Sequence, residues 1–385
     1  MVTHVKAYRA VLLVVVLLVS VCGFSWSAYI EGQEEPTRPG PPPPPPPVEV
    51  VAPRTHHVAE LGDYLNRLKL HNPLSYNEFA IYPLTLSGEP ELTGRWLSAE
   101  RALTKGLLRV SEKPGGGSVP HVVVSNRSRR STIFIMAGQV LSGGKQTRTV
   151  RQDVVLAPRQ TVDIGVFCVE RGRWSGDVAF KSSGHLVPQS IQKELRKGTD
   201  QTAVWAEVTR TNGALGTKSR TDNLEAGMTS KRVRENLEAV RKALVPEVPS
   251  ESVGFIFVHR GRLVGAEFFG SPYLAGEYLP KLIDAYAVDL VLQRVGTDRT
   301  IERRRVNIAR LYLEQIRRAG SVYGPTPGSG AGIQTRSDGL VGNGVSLTEE
   351  VVHYGVQPVV RIMPVVTRTG PTRRNNEPEN NLQGR

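Results

Sequence analysis

An unbroken run of seven prolines, Pro41–Pro47, divides this chain into two unequal parts. Proline has a fixed φ and no backbone N–H, so such a run adopts polyproline II, an extended helix without internal hydrogen bonds. No helix or strand of a packed domain can pass through it. We therefore predict a stiff linker over residues 31–55 and a folded region that begins after it. The alternative role of this segment is as a ligand for a proline-binding domain.

An uncharged apolar stretch, Ala10–Ile30, precedes the linker and follows the cations Lys6 and Arg9. A basic start, an apolar centre and small residues behind it are typical of an export signal, here residues 1–30 with cleavage after Ser27. About 20 apolar residues also span a bilayer, so an uncleaved membrane anchor over the same stretch is the alternative. In either case we expect the rest of the chain to work in the periplasm or outside the cell.

The cysteine and histidine content restricts the chemistry. The 385 residues include two cysteines, Cys22 and Cys168, and eight histidines, none with His-x-x-x-His or His-Glu-x-x-His spacing. This content excludes a disulfide-stapled fold and a structural zinc site built on several cysteines. We predict no metal site and no cofactor.

The chain is basic, with a net charge of +13 at pH 7. Nucleic acid is the usual partner of such a chain, but an exported protein rarely meets it. An anionic envelope surface, made of lipid head groups or polymers, is therefore favoured over nucleic acid as a partner. A basic face that is merely solvated is favoured over both.

Short β-branched runs separated by polar turns dominate the first half of the folded region, after short helices predicted from Val58 and after Ser98. Strands are predicted over residues 119–125, 131–136, 147–156 and 161–170, with polar links at residues 126–130 and 157–160. Because no helix intervenes, these runs predict an antiparallel sheet, in a sandwich or an open barrel.

Apolar residues at helical spacing dominate the second half. Helices are predicted after the N-cap Ser230, over Tyr278–Val295 and over Thr300–Ala319, and a β-hairpin is predicted to turn at His259–Arg262. Strands mixed with helices, without β-α-β alternation, favour the α+β class.

These patterns predict a domain organisation. The main α+β domain covers residues 56–295 and is followed by a basic helix over residues 296–320. A glycine-rich, mobile linker is predicted over residues 321–345, then a late strand region over residues 346–366 and a disordered tail over residues 367–385.

Five sequence blocks, in their order and spacing, resemble a known family. They read FAIYPL from Phe79, GGKQTR from Gly143, CVERGRW from Cys168, DQTAVW from Asp200 and VGFIFVHRGRLVGAEFFG from Val253. Over residues 72–293 the chain is similar to the domain named for its association with ADP-ribosylglycohydrolases and rhodanese-phosphatases.

The resemblance implies no established activity. It implies a link to NAD and ADP-ribose chemistry through gene neighbourhood, which is an association and not a mechanism. The family pattern also carries a Gly-Glu pair ahead of the lysine block, where this chain has Gly138-Gln139. If that acid were catalytic, this member would lack it.

Polar side chains that suit an anionic ligand follow the two glycines of the GGKQTR block. Lys145 offers a point charge, Arg148 a planar fork and Gln146 a neutral amide, a set that suits phosphate or carboxylate. Backbone amides at the glycines could face the same ligand.

Two further segments, Glu170–Trp174 and Asp200–Trp205, also carry polar and aromatic side chains. Side chains from three loops are typical of a polar-ligand site, so we expect these segments to converge. The predicted ligand-binding residues are Lys145, Gln146, Arg148, Arg173, Trp174, Gln201 and Trp205. Glu170 and Asp200 are the candidate general bases, whereas Cys168 lies in an apolar run and is predicted to be a packed thiol.

The alternative is a hydrogen-bonded network that only fixes the loops, with Arg173–Glu170 or Arg148–Asp200 as ion pairs. Three functions therefore stand open. The first is an exported module that binds an anionic, nucleotide-like or ADP-ribose-like molecule, and the second is a hydrolase that acts on an NAD-derived metabolite. The third is a non-catalytic envelope protein with a structural or interaction role.

Overall fold

The structure, a computed structural model, describes residues 58–90, 92–115, 117–292 and 305–359. The predicted export signal, proline linker and C-terminal tail lie outside these residues. No helix in the described part of the chain is both long enough and apolar enough to cross a membrane.

The helices alternate with groups of strands along the chain. They are α1 (Ala59–Asn66), α2 (Ala99–Thr104), α3 (Gln189–Lys197), α4 (Gln201–Leu215), α5 (Leu224–Met228), α6 (Lys231–Leu244), α7 (Pro272–Leu292) and α8 (Arg305–Arg318). The first strands are β1 (Leu68–Leu70), β2 (Leu74–Tyr76), β3 (Phe79–Leu86), β4 (Trp96–Ser98), β5 (Leu108–Glu112), β6 (His121–Asn126), β7 (Thr132–Ile135), β8 (Gln139–Gly143) and β9 (Arg148–Val150). The others are β10 (Val154–Leu156), β11 (Thr161–Cys168), β12 (Phe180–Leu186), β13 (Gly254–His259), β14 (Arg262–Phe269), β15 (Ser321–Gly324), β16 (Ala331–Ser337), β17 (Leu340–Leu347) and β18 (Glu350–Pro358).

The largest sheet joins the two ends of the described chain. Its strands are antiparallel, in the order β1-β3-β13-β14-β18-β17-β16-β15, with β2 also paired to β3. The β13–β14 hairpin turns through Arg260 and Gly261, at φ 52° and 67°. Positive φ at both central residues is the conformation that tight hairpins favour, so the predicted hairpin is confirmed.

Two smaller sheets carry the middle of the chain. Six antiparallel strands follow the order β12-β8-β9-β11-β6-β5, and three follow the order β10-β7-β4, in which β4 is parallel to β7. The α+β class and the mainly antiparallel pairing are therefore confirmed.

The sequence predicts that the links at residues 126–130 and 157–160 join neighbouring strands of one sheet. In the structure, each link instead carries the chain from one sheet to another. Asn126 fastens the two links to each other, since its Nδ2 donates to the carbonyl oxygens of Ser131, Leu156 and Ala157. The strand predicted over residues 147–156 is also divided in two. Asp153 interrupts it, because Asp153 Oδ1 accepts a bond from the Ala137 N–H at 2.8 Å.

The prediction of a mobile linker over residues 321–345 is wrong. This glycine-rich segment forms β15, β16 and most of β17. A Cβ at Gly344 would overlap the carbonyl oxygen of His353, and one at Gly342 would lie 2.8 Å from Tyr354 Oη. These glycines therefore allow β17 and β18 to approach closely, and they do not indicate flexibility.

The predicted helical faces are confirmed where they pack. On α6 the buried residues are Val233, Leu237, Val240 and Leu244. At α2, Ser98 is the N-cap and its side chain accepts a bond from the Arg101 N–H. Within the described residues, α8 (Arg305–Arg318) lies in the region of the predicted basic helix, and β18 (Glu350–Pro358) lies in the predicted late strand region. Residues 296–304 and 360–366 of these two predictions lie outside the described residues.

Candidate functional site

The β8–β9 turn carries the predicted lysine block. Gly143 and Gly144 have φ values of 99° and 55°, and a Cβ at Gly144 would overlap the ring of Phe180. The amides after this turn are occupied: Gly144 N–H donates to the Ala179 carbonyl at 3.2 Å and Lys145 N–H to Glu112 Oε1 at 2.9 Å. The expectation that these amides face a ligand is therefore wrong.

Arg148 lies at the start of β9 with a side chain that is completely buried. Its Nη1 donates to the Val119 carbonyl at 2.9 Å, to Gln146 Oε1 at 3.3 Å and to the Cys168 sulfur. Its Nε and Nη2, by contrast, have no hydrogen-bond partner among the residues that the structure describes. The guanidinium therefore keeps unused donors in a place where water does not reach them.

Glu112, at the end of β5, is the ionic partner of Arg148, with Oε1 3.7 Å from Nη2. Glu112 Oε2 is also buried, and it has no hydrogen-bond partner in the described part of the chain. The predicted Arg148–Asp200 pair is wrong, since Asp200 is the exposed N-cap of α4 and its Oδ1 accepts the Ala203 N–H at 3.0 Å. Glu112 was missed because sequence spacing does not reveal which strands become neighbours.

Trp174 lies next to both cations of the lysine block. Its ring centroid is 5.2 Å from Lys145 Nζ and 5.3 Å from Arg148 Cζ, within the range of cation–π attraction. The side chain of Trp174 is 46% exposed, whereas Arg148 is 0% exposed. An amphipathic ring thus lies between solvent and the buried guanidinium. We call Glu112, Lys145, Gln146, Arg148 and Trp174 the Arg148 cluster.

Arg173 and Glu170 form the ion pair that the network alternative predicts. Arg173 Nε and Nη2 donate to the two carboxylate oxygens at 3.0 and 2.7 Å, and its remaining donors bond to backbone carbonyls. The carbonyl acceptors belong to Gly143, Gly144 and Ser175. Arg173 therefore fastens the loop after β11 to the β8–β9 turn and has little capacity left for a ligand.

Glu170 is equally occupied. Its carboxylate accepts from Thr147 N–H and Oγ1, both at 3.0 Å, and from Thr221 Oγ1 at 2.8 Å. Burial opposes ionisation, but the hydrogen bonds from Arg173, Thr147 and Thr221 outweigh it and lower the pKa of Glu170 to about 2. So weak a base is poorly suited to take a proton at neutral pH.

The remaining predicted residues have separate roles. Gln201 is buried and pairs its amide with both backbone groups of Cys168, at 2.7 and 2.9 Å, which holds α4 against β11. Trp205 lies beside Arg171, 5.3 Å from its guanidinium carbon. Lys145, Gln146, Arg148, Arg173 and Trp174 thus lie together, whereas Gln201 reaches them only through Cys168.

Cys168 is a buried, unbridged thiol, as predicted. Burial raises its pKa, and the nearby Arg148 charge offsets this effect only in part. A protonated thiol without solvent contact is a poor nucleophile. At the position where the family pattern has glutamate, Gln139 is buried and donates to the His185 carbonyl at 3.2 Å.

A second polar cluster lies inside the protein, at residues that the sequence did not indicate as a site. Arg196 Nη2 reaches both oxygens of Glu267, at 2.6 and 2.8 Å. His353 then bridges two carboxylates, with Nδ1 2.7 Å from Asp153 Oδ2 and Nε2 3.2 Å from Glu267 Oε2. We call Asp153, Arg196, Glu267 and His353 the buried quartet.

The charges of the buried quartet balance. Burial opposes protonation of His353, but Asp153 and Glu267 outweigh it and raise its pKa to about 9. Two carboxylates therefore face one guanidinium and one imidazolium at neutral pH. Because each side chain has hydrogen-bond partners and none reaches solvent, the quartet serves as an internal brace and not as a ligand site.

In the residues that the structure describes, no group of three or more His, Cys, Asp or Glu side chains is arranged to hold a metal ion.

Glu170→Gln tests the role of the Arg173–Glu170 pair. Loss of the charge weakens several hydrogen bonds, so we expect the free energy of unfolding to fall by about 1–3 kcal/mol at neutral pH. The pKa of Glu170 is lowered on folding, so its contribution is present above its unfolded pKa and is lost as the pH falls toward about 2. Urea unfolding at neutral and acid pH measures both effects.

Glu207→Gln is the matched control, since the Glu207–Arg210 pair lies on the surface with side chains 25% and 54% exposed. We expect a loss of no more than about 1 kcal/mol there. Equal losses in the two variants would contradict a bracing role for Glu170.

Comparison with protein-family models assigns this chain to one family. The model of the ARG and Rhodanese-Phosphatase-superfamily-associated Protein domain matches residues 67–356. The match covers more than half of the chain, so the chain belongs to this family, and the predicted resemblance is confirmed. Neither a curated protein nor a solved structure matches the chain.

Proposed function

We propose that this chain is an exported binding module for an anionic small molecule of the nucleotide or ADP-ribose type, and that the ligand binds at the Arg148 cluster. One observation carries the proposal: Arg148 is fully buried, while its Nε and Nη2 lack hydrogen-bond partners within residues 58–90, 92–115, 117–292 and 305–359. Buried polar groups without partners are costly, and native structures contain few of them. A guanidinium kept in this state suits a ligand that completes its hydrogen bonds.

The unused donors favour an anion that presents two oxygens side by side. Nε and one Nη on the same side of a guanidinium form the fork that takes two oxygens of a phosphate or a carboxylate. Such an anion competes with Glu112 for Arg148, and Glu112 Oε2 likewise lacks a hydrogen-bond partner among the described residues. Around the turn, the cations Lys145, Arg148 and Arg173 are balanced by Glu112, Glu170 and Glu225, which accepts a bond from Ser142 Oγ at 2.7 Å. An incoming anion therefore binds by replacing Glu112 at Arg148 and not through an excess of positive charge.

Trp174 supports a ligand with an aromatic base. The indole lies 5.3 Å from the Arg148 guanidinium carbon and is half exposed, so it offers a flat face beside this cation. Stacking on such a face stabilises a nucleobase by about 1–3 kcal/mol. A phosphate at Arg148 with a base at Trp174 describes a nucleotide better than it describes a neutral sugar or a lipid tail.

Binding is favoured over hydrolysis by the state of the two candidate bases. Glu170 is held as a weak base by its hydrogen bonds, and Asp200 caps a helix. The export part of the proposal rests on the apolar stretch Ala10–Ile30. The ADP-ribose part is drawn from the association that gives the family its name.

Thermal unfolding with and without ADP-ribose, NAD or ADP tests the proposal. A ligand that binds only the folded state stabilises it by RT ln(1 + [L]/Kd), about 2.7 kcal/mol at a hundredfold excess over Kd. We expect a raised melting temperature that shrinks at high salt, because screening weakens the charge attraction. Lys145→Ala and Trp174→Ala should each remove most of the increase.

Arg171→Ala and Trp205→Ala are the matched controls, since they remove a cation and an indole that contact each other and lie outside the Arg148 cluster. Both should keep the ligand-induced increase. An unchanged melting temperature with nucleotides, inorganic phosphate and sugar acids would refute the binding module and favour the non-catalytic envelope protein.

A further inference from the structure

At one end of the two smaller sheets, four neighbouring chain segments carry several cations and no acidic residue. Strand register brings these ends together, since Trp96 pairs with Thr132, Leu156 with Ile133, Leu108 with Asn126 and Thr161 with Ser125. The four chain segments at this end, residues 93–95, 104–107, 127–131 and 157–160, contain no Asp or Glu. We call their six cations the arginine ridge: Arg95, Lys105, Arg127, Arg129, Arg130 and Arg159.

Hydrogen bonds between the segments hold the ridge in one piece. Arg127 N–H donates to the Leu107 carbonyl at 2.7 Å, and Arg159 N–H donates to the Ser128 carbonyl at 3.0 Å. Thr132 N–H donates to the Arg95 carbonyl at 2.9 Å. Asn126, through its three side-chain bonds, ties the 127–131 segment to the 157–160 segment. The charges are therefore presented on a preformed surface and not on separate flexible loops.

Fold stability does not account for the ridge. All six side chains belong to exposed residues, and none forms a salt bridge with an acid in the described part of the chain. Neighbouring like charges repel one another, and Arg159 also adopts a left-handed backbone, at φ 63°, which favours glycine or asparagine. A feature that costs stability in two ways suggests a role in contact with a partner.

We propose that the arginine ridge docks the domain on a membrane that contains anionic phospholipids. A group of four to eight cations suits a layer of phosphate head groups, whose negative potential acts over about a Debye length. The large exposed apolar side chains of the described residues, such as Trp174 and Leu311, lie outside the four segments. The ridge therefore lacks the exposed rings that single-stranded nucleic acid stacks on, and it contacts a charged layer without inserting into it.

The chain itself supports a bilayer as the partner. Its apolar stretch, Ala10–Ile30, is long enough to enter a membrane, and residues 31–57 connect that stretch to the first described helix. In the uncleaved form, the stretch tethers the domain and brings it to head groups at high local concentration, so modest attraction suffices to orient it. In the cleaved form, the ridge must supply the attraction by itself.

Vesicle co-sedimentation of the full chain tests this docking. Neutral phosphatidylcholine vesicles report binding through other segments, and vesicles with added phosphatidylglycerol report the contribution of anionic lipid. We expect the anionic lipid to strengthen binding at least about tenfold at low salt, and this gain should disappear at high salt. Arg127→Gln, Arg129→Gln, Arg130→Gln and Arg159→Asn together should abolish the gain.

A control variant with the same charge change separates the ridge from net charge. Lys218→Gln, Arg220→Gln, Lys231→Gln and Arg234→Gln remove four exposed cations near α5 and α6, and this variant should keep most of the gain. Thermal unfolding checks that both variants remain folded. An absent gain in the wild-type chain, equal losses in both variants, or tighter binding to duplex DNA or polyphosphate at equal salt would each overturn the proposal.

Discussion

Arg196→Ala should lower the free energy of unfolding by about 3–5 kcal/mol, because it leaves Glu267 buried beside Asp153 with only His353 to balance two carboxylates. Both Arg196 and Glu267 are almost completely inaccessible, with side chains 3% and 0% exposed. A Cβ at Gly355 would overlap Arg196 Nη2 and Glu267 Oε2, so β18 leaves space for this pair. Urea unfolding followed by circular dichroism measures the loss.

Lys242→Ala is the control for this change. Lys242 also pairs with a glutamate, Glu238, but the side chains are 76% and 47% exposed. Exposed pairs contribute about 0–1 kcal/mol, so this variant should unfold almost as the wild type does. A second check is Arg196→Met with Glu267→Leu. Removing both charges should cost less than the sum of the single variants, since the two residues interact directly.

A loss below about 1 kcal/mol for Arg196→Ala would show that water or a neighbouring side chain compensates for the missing guanidinium, and the quartet would then not be a brace.

The sequence carried partial information about this quartet. Glu267 and His353 are each a polar residue within an apolar strand, LVGAEFF and EVVHYGV. A strand that is apolar on both sides of an acid is buried, and a buried acid requires a partner, so this pattern could have indicated an internal ion pair. The partners could not be identified, because Asp153 and Arg196 come from a strand break and from a helix far away in sequence.

The same limit explains the outcome for the Arg148 cluster. Residues close together in sequence, such as Lys145 and Arg148, were predicted to act together and do lie together. Arg173 and Trp174 also lie there, because β9 and β11 are neighbours in the six-stranded sheet. Glu112 was absent from the prediction, since periodicity identifies strands without ordering them.

Local rules worked where one short segment determines the structure. The Arg260-Gly261 turn and the apolar face of α6 need no distant partner, and both are observed. Glycine content led to the wrong prediction of a linker over residues 321–345, because glycine is common both in flexible segments and where strands pack closely. Only the neighbouring strand, here β18 with His353 and Tyr354, decides between these roles.

The second large effect concerns pH, and it follows from the raised pKa of His353. The pKa of this histidine is about 9 in the folded protein and about 6.5 in an unfolded chain. A group whose pKa rises on folding contributes stability that is fully present below the unfolded pKa and is lost as the pH passes the folded one. At about 1.4 kcal/mol for each pKa unit, the full difference corresponds to about 3.5 kcal/mol.

The physical cause lies in the balance of the quartet. Below about pH 6.5, His353 is protonated in the folded and the unfolded chain, and the imidazolium donates to both Asp153 and Glu267. Above about pH 9 the ring is neutral, and two carboxylates face Arg196 alone. The other groups that face the ring, Phe134 and Phe269, do not titrate, so they cannot restore the balance.

We therefore expect the free energy of unfolding to decline between about pH 7 and pH 10, by about 3 kcal/mol in total from this histidine. Other groups with pKa values in this range also contribute, and His353→Gln separates them, since it keeps every group except the imidazole. The variant should be less stable at neutral pH and should show a flatter profile toward alkaline pH. If the free energy of unfolding depends on pH in the same way in the wild type and the variant, the pKa of His353 does not change on folding. Arg196 alone would then balance the carboxylates of the quartet.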